Sequence, residues 1–162
     1  MPELPEVEGV RRTLESVALG RRVTRVRVAR RDVIVGPGDP FGGWSRAGAE
    51  ARAAAMTRRG GRRRVTRAML LAGDEIGAVH RRGKSLAIEG ASGRAVVVHL
   101  GMTGQLRHAA TRARLDPADH VHVAWWLANA EGRAEGRLVF RDPRRFGGVW
   151  VARDMAEVRS RH

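Results

Sequence analysis

Residues 94–100 read RAVVVHL, and the run of Ala95 and three valines is closed on either side by glycine-bearing segments, GASG at 90–93 and GMTG at 101–104. Valine is stiff at χ1 and packs well on a pleated surface, so a short apolar run bounded by turn formers reads as a buried strand. Working outward, six further segments have the same character: VTRVRVA (23–29), EIGAVH (75–80), SLAIE (85–89), HVHVAWWL (120–127), RLVFR (137–141) and GVWVA (148–152). They are short, valine-rich, often alternating, and separated by Gly, Asp and Pro. Strands of this kind bury one face against a second layer.

The N-terminal stretch has a different period. From Pro5 to Leu19 the residues Val7, Val10, Leu14, Val17 and Ala18 fall on one helical stripe, with Glu8/Arg12 and Arg11/Glu15 paired at i,i+4 and Gly20 as the stop. The expected architecture is α+β, mostly β: a two-sheet β-sandwich flanked by a long N-terminal helix, as a single domain over residues 1–162. Residues 36–67 are rich in Gly, Ala and Arg, with room for one short alanine-rich helix; their GGRRRVTR segment is either a phosphate-seeking arm or a solvated loop.

Charge narrows the choice of partner. Thirty-one basic residues against 17 acidic give a formal net charge of +14, a field that draws polyanions, nucleic acid first. An arginine-biased genome decorating a solvated surface explains part of it. There is no cysteine, which excludes disulfides and cysteine-ligated zinc or iron in this chain. The six histidines have no metal-ligand spacing, so no metal is expected. No apolar run approaches the roughly 20 residues that cross a bilayer, and the first 20 residues are too charged for a signal peptide. A soluble, cytoplasmic, nucleoid-associated protein is expected.

Four stretches carry chemistry. In MPELPEVE, loss of Met1 leaves Pro2 with a free secondary amine whose pKa, about 7.7 to 8.0 against about 10.4 for a lysine, keeps it available as a nucleophile. Attack on a sugar C1′ gives an iminium ion, and the adjacent Glu3 can move protons. The same residues also make an ordinary helix start with acids in its first turn. In HRRGKSL stands Lys84, the only lysine, a point charge able to transfer a proton where arginine cannot, or a chance survivor. In HLGMTGQL two glycines flank Met102, which is either core filler or an exposed wedge for a base stack. In RDPRRFGGVW a turn opened by Asp142 and Pro143 presents Arg144, Arg145 and Phe146, suited to a phosphate, a base edge and an unstacked base, or else an ordinary hairpin with its ring turned inward.

Taken in this order, PELPEVE, RRGKSL, HLGMTGQL and DPRRFG resemble the formamidopyrimidine-DNA glycosylase family, which includes the endonuclease VIII enzymes, over nearly the whole chain. The resemblance implies excision of oxidised purines such as 8-oxoguanine and formamidopyrimidines from double-stranded DNA, followed by nicking of the abasic strand. It implies Pro2 as the Schiff-base nucleophile, Glu3 as general acid/base, Glu6 in support, and Lys84 on phosphate and in β-elimination. DNA contacts follow for His99, Met102, His120, Arg144, Arg145 and Phe146, with Met102, Arg144 and Phe146 filling the space of the flipped nucleotide. Methionine in HLGMTG and Arg-Arg-Phe in DPRRFG favour the formamidopyrimidine branch over an endonuclease VIII-like enzyme acting on oxidised pyrimidines. Family members continue into a helix-two-turn-helix domain and usually a zinc finger; this chain stops at ARDMAEVRSRH, so those parts are expected from a missing C-terminal half or a partner chain, and no cofactor is expected in this one. A catalytically weak damaged-DNA-binding module is the alternative.

Overall fold

The computed structural model describes residues 4–30, 33–36, 65–114, 119–143 and 147–160. Among the described residues, helix α1 (Leu4–Ala18) is followed by nine strands, a 3-10 helix (Ala68–Leu70) and a short α-helix: β1 (Arg22–Val28), β2 (Ile34–Val35), β3 (Ile76–Arg82), β4 (Ser85–Gly90), β5 (Ala95–His99), β6 (Gln105–Ala109), β7 (Val121–Ala128), β8 (Ala134–Arg141), β9 (Gly148–Ala152) and α2 (Met155–Ser160). The strands form two sheets, ordered β1-β7-β8-β6 and β2-β9-β5-β4-β3. All pairings are antiparallel except β2 with β9. The expected sandwich with its N-terminal helix is the observed fold.

The opening run owes its lack of alternation to burial on both sides. Val96 and Val98 face the interior with Leu86, Ile88, Val149 and Val151, opposite Val123, Trp125, Leu138 and Phe140 of the other sheet. Ala95 and Val97 join Ala87, Trp150 and Ala152 in a second cluster on the other face, closed by Val158 of α2. A fully buried Val or Leu contributes about 1.5–3 kcal/mol, so this sheet is held from two directions. On α1, Val7, Leu14 and Ala18 are buried, with Val10 and Val17 partly so, as the stripe requires. Gly20 takes φ +75°, the left-handed conformation that ends the helix. Both i,i+4 pairs form: Arg11–Glu15 at 2.6 Å and Arg12–Glu8 at 3.5 Å.

Four elements went unread in the sequence, the 3-10 helix Ala68–Leu70 among them. β6 is an edge strand with only Leu106 buried, so QLRHA has no strand-like alternation of apolar residues. β2 is two residues long, and α2 follows Asp154, whose Oδ1 accepts the Glu157 backbone N–H at 2.8 Å as an N-cap. β8 also begins at Ala134, ahead of RLVFR. The alanine-rich helix and most of GGRRRVTR lie outside the described residues. Among the described residues, no helix is long and apolar enough to cross a membrane.

Candidate nucleic-acid interface and active site

Two chain crossings between the sheets meet at one end of the sandwich. β5 in the five-stranded sheet leads through residues 100–104 into β6 of the four-stranded sheet, and β8 returns through 142–147 into β9. The pairings place Gln105 opposite Arg141 and His99 opposite Gly148, so both crossings occupy the same end. The first carries Met102; the second carries DPRRFG.

Asp142 binds these crossings together. Its side chain is fully buried, Oδ1 accepting the Thr103 hydroxyl at 2.5 Å and Oδ2 accepting the Gly147 backbone N–H at 2.7 Å. The buried His122 donates from Nε2 to the Asp142 carbonyl at 2.8 Å, which fixes its tautomer. The Asp142 N–H in turn donates to the His120 carbonyl at 3.2 Å. Gly147 sits so close to β5 that a Cβ there would run into the His99 carbonyl oxygen, which explains the glycine after Phe146. Thr103, Asp142 and His122 are functional candidates that the sequence reading missed or took only as turn formers. Their partners lie 39 and 20 residues apart, beyond any local pattern.

Met102, Lys84, His99 and His120 gather here. Met102 is 42% exposed at the tip of its crossing, which decides for a projecting side chain over core filler. Lys84, half-buried in the turn just ahead of β4, accepts the Leu100 N–H on its carbonyl at 3.1 Å, which fixes it beside the Met102 crossing. His99 ends β5 and pairs through Nδ1 with Ser85 Oγ at 2.9 Å, so a ring nitrogen is already engaged within the sheet. His120 is exposed with φ +55°, a left-handed conformation uncommon for a non-glycine residue, at the entry to β7. Glu6 is exposed in the first turn of α1. Pro2, Glu3, Arg144, Arg145 and Phe146 lie outside the described residues.

An arginine latch holds α1 to this end. Arg81 donates from Nε to Glu8 Oε2 at 2.8 Å and from Nη1 to the carbonyl of Gly83, the neighbour of Lys84, at 3.3 Å. Glu8 also accepts from Arg11 at 2.7 Å. Hydrogen bonds from Arg11 and then Arg81 lower the Glu8 pKa from its ordinary 4.5 to about 2. The folded value lies below the unfolded one, so this contribution is complete above pH 4.5 and is lost as pH falls through about 2. Glu8→Gln is expected to melt below the wild type at pH 6, and the gap to close as pH falls across that window. Thermal melts along a pH series check this; a gap independent of pH would show that Glu8 ionisation does not hold the helix.

Among the described residues, no group of three or more His, Asp or Glu is placed to hold a metal ion. The family model for the formamidopyrimidine-DNA glycosylase N-terminal domain matches residues 1–64 and 47–149. The chain belongs to this family. It is 40% identical over 162 residues to the formamidopyrimidine-DNA glycosylase of Burkholderia thailandensis, covering 99% of this chain and 47% of that protein. Lactococcus lactis Fpg in complex with an abasic site containing DNA has the same fold at TM-score 0.68 and 25% identity, covering 98% of this chain and 46% of that one. MutM in complex with carbocyclic 8-oxo-G containing DNA follows at TM-score 0.64 and 26% identity, covering 93% and 44%. The chain thus spans about half the length of the formamidopyrimidine-DNA glycosylases it matches.

Proposed function

We propose that this formamidopyrimidine-DNA glycosylase domain performs base excision repair, as the catalytic part of a bifunctional glycosylase and abasic-site lyase acting on oxidised purines in double-stranded DNA at the nucleoid. The observation that carries the proposal is the convergence of Lys84, exposed Met102 and both ends of DPRRFG on one end of the sandwich, the two crossings tied by the buried Asp142 and Lys84 by its carbonyl to Leu100. The relatives' complexes with abasic-site and 8-oxo-G DNA support the choice of substrate.

The chemistry uses the chain's own groups. The Pro2 amine attacks C1′ as the glycosidic bond breaks, and the base leaves with a proton delivered by Glu3, with Glu6 supporting the site. Loss of the amine proton and cleavage of the C1′–O4′ bond, with O4′ taking up a proton, then open the sugar ring and give the iminium ion, which acidifies C2′; transfer of a C2′ proton to a base forms the C2′–C3′ double bond and expels the 3′ phosphate, with Lys84 on the phosphate and assisting the proton transfer. Met102, Arg144 and Phe146 occupy the space of the extruded nucleotide, offsetting a few kcal/mol of unstacking. Arg145, His99 and His120 are assigned to the DNA backbone.

Borohydride reduction tests this directly. Protein lacking Met1 is expected to give a covalent adduct with abasic duplex; no adduct, with duplex binding retained, would favour the binding module. Lys84→Arg conserves charge but not proton transfer, so strand cleavage should fall about a hundredfold or more while duplex affinity stays within about twofold. Equal cleavage rates in single-turnover assays would remove Lys84 from the elimination step.

A further inference from the structure

The outer face of the four-stranded sheet carries a charge pattern that the proposed active site does not use. β1 and β6 are the edges of this sheet, with β7 and β8 between them. In one cross-strand row Arg27 lies opposite Ala124, Ala124 opposite Val139, and Val139 opposite Arg107. In the next, Arg25 lies opposite Trp126 and Trp126 opposite Arg137. Arg25, Arg27 and Arg107 are exposed, and neither row contains a carboxylate. Among the described residues, no Asp or Glu forms an ion pair with any of the three.

The arrangement is ordered as well as charged. The Arg25 guanidinium lies 4.8 Å from the Trp126 ring centroid and that of Arg137 5.4 Å. Arg137 is buried and donates to the carbonyls of Ala110 and Ala113, so it holds the 110–114 segment, and Arg25 is left as the outward cation of the row. Like charges two residues apart on one strand repel, and Arg25 and Arg27 have apolar cross-strand neighbours where acids would relieve them. A polyanion supplies that relief.

We infer that this face is a second binding surface for duplex DNA, contacted through its phosphates and distinct from the end that carries Met102. Arg27 and Arg107 stand three strand spacings apart, about 14 Å across the sheet, and their long side chains can reach phosphates on the two sides of a major groove about 12 Å wide. The row nearest to it, Val121–Arg141–Gln105, adjoins the crossings, so the surface is continuous with the site and suited to duplex flanking the lesion. The inference rests on the reading of the chain as a duplex-binding protein, but not on its chemistry.

The test is the salt dependence of binding to an undamaged duplex. Each neutralised phosphate contributes about 0.9 to the slope of log K against log salt, so R25Q/R27Q/R107Q should lower the slope by about 2 to 3. The charge-matched control R94Q/R133Q/R159Q removes three exposed arginines from elsewhere and should lower it by less than about 1. Equal losses in the two triples would overturn the inference, since net charge alone would then account for binding, as would an unchanged slope in the first. A loss seen only with single-stranded DNA would overturn the duplex assignment. Borohydride trapping on abasic duplex at low salt separates the two readings. An adduct from the wild type with no slope change in the first triple sinks the surface and leaves the enzyme. A slope change with no wild-type adduct does the reverse.

Discussion

A chain carrying an uncleavable extension ahead of Pro2 is expected to form no borohydride-trapped adduct with abasic duplex, while its affinity for that duplex stays within about twofold of the processed protein. An amide nitrogen has no available lone pair, so an extension whose own terminus is acetylated removes the α-amine nucleophile completely and leaves the rest of the molecule in place. The effect should therefore be all or none, unlike that of changing a proton carrier, which leaves about one part in a hundred to one in ten thousand of the rate. The composition makes the experiment sharp. With Lys84 the only lysine, the processed chain has just two aliphatic amines, the α-amine of Pro2 and Nζ of Lys84. An adduct that persists in the extended protein and disappears on Lys84→Arg would transfer the nucleophile to Lys84 and overturn the assignment of Pro2. At neutral pH an α-amine is unprotonated roughly a hundredfold more often than a lysine, which is why Pro2 is expected to win.

What could be read from the chain divides along sequence separation. The stripe on α1 and its two i,i+4 ion pairs involve neighbours on one helix, and both pairs form. The third partner of Glu8 is Arg81, 73 residues away, and no periodicity could have joined them. The same holds at the candidate site. HLGMTGQL and DPRRFG were each legible as a turn with a projecting tip, and Met102 does project. That one buried carboxylate ties the two turns together depends on both crossings between the sheets falling at one end, which is a property of topology. β6 escaped notice because an edge strand with one buried side chain has no hydrophobic period to detect. Its position nevertheless sets the rim of the arginine face, since Arg107 lies on it.

Asp142→Ala is expected to cost roughly 3–5 kcal/mol in urea unfolding, the largest stability loss among the substitutions considered. The carboxylate is fully buried and receives the Thr103 hydroxyl at 2.5 Å and the Gly147 N–H at 2.7 Å. Hydrogen bonds to a charged group contribute about 1.5–3 kcal/mol each, and truncation leaves the buried Gly147 N–H without this acceptor. Thr103→Val removes one of the two bonds and replaces the donor by a methyl, so about 1–2 kcal/mol is expected. Asp142→Asn retains the shape, yet its NH2 must face either the hydroxyl or the N–H, both donors to the carboxylate, so its cost should fall between the other two. Because the variants act on the same bonds, Thr103→Val combined with Asp142→Ala should cost less than the sum of the singles, a coupling that a double-mutant cycle reads directly. Function should follow the same order. With the two crossings uncoupled, Met102 is no longer held beside DPRRFG, and fluorescence of 2-aminopurine next to an abasic site should report weaker wedge insertion in folded Asp142→Ala than in wild type. A loss below about 1 kcal/mol, or strictly additive costs, would mean that packing of the sheets alone holds the two crossings, and Asp142 would then be only a turn former.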